Sequence, residues 1–190
     1  MGHTLTGVTV VAHPDDCIIY AWPFFEFCGD IVDWTIVYLT YTEQDVRAQE
    51  VTKFWNARGI KTQFLGQTDD YNQVVQGQLG FDGQVARQLI KDSCADADII
   101  LTHAADGDYG HLHHVFVHEC VYALGKPLVC FANWETKTLV CNRSEVLDLD
   151  EIPVHRDAVK DWKNMDVGLY NLDERSDELI KKTAYLGLFS

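Results

Sequence analysis

The 190-residue chain has no Cys-x-x-Cys pair, no surplus of basic charge and no uninterrupted apolar run long enough to cross a bilayer. Each gap removes a class of protein. The six cysteines, at 17, 28, 94, 120, 130 and 141, fall mostly inside apolar stretches. They read as buried thiols in a reduced setting rather than as a disulfide framework. Basic residues number 15 against 29 acidic ones, a formal net charge of −14. That argues against holding nucleic acid or an anionic membrane through bulk charge. An anionic small substrate stays open, because a metal ion reverses the local field. The start, Met1-Gly2-His3-Thr4-Leu5, has neither the basic nor the apolar region of a signal peptide. Residues 18–28 are the most apolar stretch, but Pro23 and Glu26 break it and it is too short for a membrane span. A cytoplasmic protein without membrane insertion is the expectation. No G-x-G-x-x-G follows the first strand-like run, which argues against a nucleotide-binding Rossmann protein.

What is present is an alternation of two periodicities. Val8-Thr9-Val10-Val11-Ala12 is an apolar run of the kind that forms a buried parallel strand. Strands are also expected at 31–40, 62–65, 98–102 and 127–132, with an edge strand at 136–141. Helices are expected at 16–28 (with a break near Pro23), 43–58, 83–92 and from the histidine-rich segment to about residue 124. Residues 66–80 read as a polar loop, and further helices are expected at 154–163 and 174–185. Length and composition suit one domain over residues 1–190. The alternation predicts an α/β fold, a Rossmann-like three-layer α/β/α structure with a mostly parallel sheet.

Two clusters carry chemistry. His13-Pro14-Asp15-Asp16 leaves the carboxyl end of the first strand, the edge where open α/β sheets gather ligands. His111, His113, His114 and His118 lie just beyond the run Ile99-Ile100-Leu101-Thr102. One His and one Asp from the first loop and one His from the second would make a three-ligand zinc site with a position open for water. On a helix of about 100° per residue, His111, His114 and His118 share a face and His113 points away. A strand-to-helix turn capped by Asp15 or Asp16 would explain the first cluster alone. It does not explain why both clusters follow strands of one sheet.

At these residues the chain resembles the LmbE-like, or PIG-L, zinc de-N-acetylases of amino sugars. Their first motif, Ala-His-Pro-Asp-Asp-Glu, stands here as Ala12-His13-Pro14-Asp15-Asp16-Cys17. Their second, Gly-His-x-Asp-His, stands as Gly110-His111-Leu112-His113-His114. Between them lie Thr40-Tyr41-Thr42-Glu43 and Arg47-Ala48-Gln49-Glu50, similar to the family's Thr-x-Gly-Glu and Arg-x-x-Glu, and Phe64-Leu65-Gly66 with Asp69 and Asp70 just beyond. The likeness covers roughly residues 6 to 130. It implies His13, Asp16 and His114 as ligands of Zn2+ (or another divalent metal such as Fe2+) and Asp15 as general base. It implies His111 as the group that stabilises or protonates the reacting centre, and Tyr109 as a mobile tyrosine at the oxyanion. Arg47 with Asp69 or Asp70 would touch a small-molecule N-acyl amino-sugar substrate. A surface ion pair for Arg47 and Glu50, and a turn for Asp69-Asp70, are the plainer alternatives.

Three departures stand out. Cys17 replaces a Glu, His113 replaces an Asp, and Ile18-Ile19-Tyr20-Ala21-Trp22-Pro23 replaces a glycine-rich turn. The rival readings are a zinc hydrolase of the same fold acting on a non-sugar amide or ester, and a metal- or ligand-binding member without catalysis. A homo-oligomer is compatible with either.

Overall fold

The computed structural model describes residues 4–21, 25, 31–131, 138–140 and 146–148. Five parallel strands form the sheet, in the order β3-β2-β1-β4-β5. They are β1 (Leu5–Val11), β2 (Val32–Thr40), β3 (Lys61–Gln67), β4 (Ile99–Thr102) and β5 (Leu128–Cys130). The helices are α1 (Val46–Asn56), α2 (Tyr71–Val74), α3 (Gly83–Ser93), α4 (Gly107–Gly110) and α5 (Leu112–Tyr122).

The continuous apolar runs of the central strands match burial on both faces. Gly7 to Val11 is buried without a break, as is Ile36 to Thr40. On one face Val8, Val10, Val37 and Leu39 pack with Ala86 and Ile90 of α3 and with Phe116, Val117 and Cys120 of α5. On the other, the Trp34 and Trp55 rings both meet Phe25, with centroids 5.5 and 5.2 Å away. Trp55 belongs to α1, so α1 covers the face opposite α3 and α5. This is the expected α/β fold with helices on both sides of a parallel sheet. Burying the large apolar side chains stabilises it by about 1.5–3 kcal/mol each.

The strand order places the site. The chain runs outward from β1 through β2 to β3, then returns to β4 on the other side of β1. The loops after β1 and β4 therefore diverge and leave a crevice at the carboxyl edge, the topological switch point. Threonine hydroxyls brace that edge. Thr102 Oγ1 donates to the Val10 carbonyl at 2.8 Å and Thr40 Oγ1 to the Ala12 carbonyl at 2.7 Å.

Several local expectations need correction. Residues 66–80 include α2, a short helix capped by Asp70, as well as loop. The expected helix after Asp16 begins instead as a π-helical turn, Cys17–Ala21. The expected edge strand at 136–141 is realised as β6 (Thr138–Val140), which pairs antiparallel with β7 (Val146–Asp148) in a separate two-stranded sheet. Its backbone bonds go to a local hairpin partner rather than to the main sheet. The helices expected at 154–163 and 174–185 lie outside the described residues.

Gly7 shows how tightly β1 is held. A Cβ there would sit 2.5 Å from both Trp34 Cε3 and Val32 Cγ1. The indole is rigid and buried, so the strand must shift. Gly7→Ala should lower stability by about 1–3 kcal/mol in urea denaturation. An unchanged midpoint would show that the Trp34 layer is looser than this packing.

Candidate active site

The loop after β1 is folded by its own aspartate. Asp16 Oδ2 accepts from the His13 N–H at 2.7 Å, turning the carboxylate back over the strand end. His13 Nδ1 lies 3.4 Å from the same oxygen. Asp16 Oδ1 lies 3.4 Å from His114 Nε2, and His114 Nε2 lies 3.2 Å from His13 Nδ1. Two donors each bonded to a tetrahedral zinc at about 2.05 Å lie about 3.3 Å apart. Each pair thus has the spacing of two donors on one metal, with the carboxylate meeting the two rings through different oxygens. Groups whose donor atoms could share one ion include His13 with His111 and His114, and Asp16 with His103 and His114.

The outer contacts set the proton positions. A carboxylate only accepts, so the 2.8 Å contact of His114 Nδ1 with Asp108 Oδ2 puts the proton on Nδ1 and leaves a lone pair on Nε2. The same Asp108 oxygen accepts from His103 Nδ1. His103 Nε2 in turn accepts from the Ala12 N–H at 3.0 Å. The His103 and His114 rings stack with centroids 3.8 Å apart. Burial opposes charge on His103, but Asp108 and Asp16 outweigh it and push its pKa to about 9. The Ala12 donor favours the neutral ring instead, and a dication beside Asp16 would do the same. We take the neutral ring with Nδ1–H on Asp108 as the state of a metal-loaded site. Burial would also raise Asp108, yet its pairing with the two rings holds it at about 2.

Asp15 sits beside this face, its Oδ1 3.4 Å from Arg47 Nη2. Burial first, then the Asp16 charge, pushes its pKa up to about 6, against the pull of His13 and Arg47. Arg47 Nη1 also donates to Tyr41 Oη at 2.7 Å, and Tyr41 donates to Asp69 Oδ2 at 3.0 Å. The structure thus turns Arg47 toward the crevice. Of the two adjacent aspartates, Asp69 reaches the histidines, its Oδ1 3.6 Å from His13 Nε2. Asp70 instead caps α2, accepting from Asn72 N and Gln73 N through Oδ1 and from Gln73 Nε2 through Oδ2. Expected at the substrate, Asp70 is engaged in a cap.

His111 is the N-cap of α5, with Nδ1 accepting from the His113 N–H at 3.2 Å. Its proton is therefore on Nε2. Burial and the charges of His114 and His13 press its pKa down to about 3. At neutral pH it is a neutral hydrogen-bond donor, not a protonated acid. Although His111 is a cap with extended backbone rather than a helical residue, its ring lies beside that of His114 as expected, with centroids 4.7 Å apart. His113, expected to point away, is buried, with Nδ1 3.2 Å from His13 Nε2 and Nε2 2.9 Å from the Leu79 carbonyl. His118, one turn deeper, donates from Nδ1 to the His103 carbonyl at 2.9 Å. Tyr109 has its backbone in α4, and its side chain lies outside the described residues.

The departure at Cys17 acquires a physical meaning. Cys17 is buried against Tyr38, and burial pushes its thiol pKa well up. It is a neutral packing group. The residues missed from the sequence are His103 and the role of Asp108. His103 follows β4 as His13 follows β1, and that symmetry was the available signal.

Asp15 offers a direct test. Its folded pKa lies above the unfolded value, so the fold holds a proton between about pH 4 and 6 that the unfolded chain has released. Stability therefore falls as pH rises through that window. In metal-free protein, Asp15→Asn should be more stable than the natural chain at pH 7.5, by on the order of 1–3 kcal/mol. The gain should shrink toward pH 4. Equal denaturation midpoints at pH 7.5 would show that Asp15 carries no such burden.

The sequence profile of the GlcNAc-PI de-N-acetylase (PIG-L) family matches residues 8–124. A comparison with curated proteins finds no match. Among solved structures, the A40926 pseudoaglycone deacetylase Dbv21 aligns with TM-score 0.55 and 14% identity, over 97% of this chain and 95% of that one. The zinc-inhibited form of teicoplanin deacetylase Orf2 aligns with TM-score 0.54 and 11% identity, over 95% of each. The hydratase GalB from Pseudomonas putida KT2440 gives 0.49 and 12%, over 94% of this chain and 82% of that one. At such identities structural likeness speaks for the fold alone. The family match spans more than half of the chain and contains both histidine motifs: the protein belongs to the GlcNAc-PI de-N-acetylase family.

Proposed function

We propose that the chain is a metal-dependent N-deacetylase that hydrolyses the acetamide of an N-acetylated amino sugar or a close amide analogue. The observation that carries this reading is the convergence of His13 Nδ1, His114 Nε2 and the Asp16 carboxylate, with pairwise approaches of 3.2–3.4 Å made through different carboxylate oxygens and Asp15 alongside. Family membership supports the reaction class, and the names of Dbv21 and Orf2 agree with it. Zn2+ fits two imidazoles and a carboxylate, and Fe2+ would fit the same donors.

A divalent ion held by those three residues would polarise the amide carbonyl and bring water within reach of a base near neutral pH. The chain's own groups then divide the work. Asp15, with a pKa of about 6, is ionised at pH 7 and accepts the water proton. Arg47, 3.4 Å away, keeps that carboxylate oriented. His111, with its proton on Nε2, donates a hydrogen bond to the carbonyl oxygen as that oxygen gains charge. Asp15 then returns its proton to the departing amine, so no imidazolium is needed. The water oxygen bonds to the carbonyl carbon, the C–N bond breaks, and the acetic acid so formed passes its remaining proton to the amine, so that acetate and the ammonium form leave.

A panel of N-acetyl amino sugars assayed for acetate release tests this. Asp16→Ala and His114→Ala should lose the bound metal. Asp15→Asn should keep it and lose about 10²–10⁴-fold in rate. The acid limb of kcat/KM in the metal-loaded protein should follow Asp15 and lie below the value of about 6 that the carboxyl has without an ion, because a dication beside it favours its charged form. No acetate from metal-loaded protein across the panel, or an Asp15→Asn rate equal to the natural one, would overturn the reading.

A further inference from the structure

His13 has two ring nitrogens, and only Nδ1 faces Asp16 and His114. Its Nε2 faces a second set of donors. His113 Nδ1 lies 3.2 Å from it and Asp69 Oδ1 3.6 Å from it, while those two atoms are 4.0 Å apart. A triangle with those sides has a point about 2.1 Å from each corner, the length of a bond from a divalent transition metal to imidazole nitrogen or carboxylate oxygen.

The protons of this second set are also constrained. The Leu79 carbonyl can only accept, so His113 holds its proton on Nε2 and turns a lone pair from Nδ1 toward His13. Asp69 binds Tyr41 through Oδ2 and directs Oδ1 at the two rings. One proton, on His13 Nε2, stands between the rings where a cation has three donors.

We propose that His13 Nε2, His113 Nδ1 and Asp69 Oδ1 form a second divalent-metal site, and that His13 bridges it to the first as an imidazolate. The inference rests on the first metal site proposed above. Binding of the second ion breaks the His13 Nε2–H bond, releases that proton to solvent and forms three metal–donor bonds. Imidazolate and Asp69 supply two negative charges to the dication, which limits the penalty of holding it in a partly buried place. Ions that accept mixed nitrogen and oxygen donors, such as Zn2+ and Co2+, suit it.

Equilibrium dialysis of the full-length protein against excess Zn2+, with metal counted per chain, tests the site. The natural protein should take two ions. Asp69→Asn and His113→Phe should each take one. Asp69 is solvent-exposed, so its variant reports even if removing buried His113 harms folding. His114→Ala should lose the first ion. Loaded with Co2+ instead, the natural protein should give less electron paramagnetic resonance intensity per cobalt than Asp69→Asn, because the imidazolate couples the two spins. One ion in the natural protein, lost in His114→Ala, overturns the second site and leaves the proposed function standing. No ion overturns both. Two ions in the natural protein and also in both variants place the second ion elsewhere and overturn the assignment. Two cobalt ions with uncoupled signals overturn the shared His13.

Discussion

One buried carboxylate, Asp108, holds the candidate site in register. It accepts from His103 Nδ1 and His114 Nδ1 through one oxygen and from the Ala104 N–H through the other. Its backbone takes a positive φ of 67°, uncommon for a residue other than glycine, and the Asp106 side chain accepts from its N–H. That backbone conformation aims an acceptor at the two stacked rings. Because Asp108 can only accept, it commits both Nδ1 protons and leaves His114 Nε2 as a lone pair directed at His13 and Asp16. A site of neutral imidazoles pointing inward follows from one negative charge placed behind them.

The rest of the electrostatics follows from where this cluster sits. The crevice is floored by the buried carboxyl ends of β1, β2 and β4, so charge there is weakly solvated. Burial raises Asp15 to about 6 and lowers His111 to about 3. The carboxylate is thereby moved toward the operating range of a base, and the imidazole is kept neutral as a donor. Asp16 escapes the same fate because His114 and His103 surround it, and its pKa falls well below the usual value despite burial. Adjacent aspartates in one loop thus acquire opposite tendencies, set by which of them the rings surround.

The departures from the family's motifs are absorbed in two different ways. Cys17 goes inward against Tyr38 and becomes part of the core. His113 goes toward the site, where it meets His13 on one side and the Leu79 carbonyl on the other. An aspartate could not make the Leu79 contact, since two acceptors would face each other. The change from Asp to His therefore alters which partners the second motif can take, and it does so on the far side of His13 from Asp16.

The chain's own sequence determined the parallel sheet and the positions of His13, Asp15, Asp16, His111 and His114 at its carboxyl edge. Those follow from local causes: apolar runs that can only be buried strands, and polar clusters just after them. What a side chain faces across the crevice was not legible. His113 was placed away from the site because a helical wheel says nothing of His13, which packs against both His113 and His114 from the other loop. Asp69 and Asp70 could not be told apart, since only the start of α2 decides which one caps and which one reaches the rings. His103 went unnoticed because a lone histidine after a strand gains meaning only when β4 lies beside β1 and carries it to within 3.3 Å of Asp16. Sequence periodicity reports which residues are buried and which end of a strand they leave. Proton positions and partners depend on contacts between segments about a hundred residues apart, and only the tertiary fold brings those together.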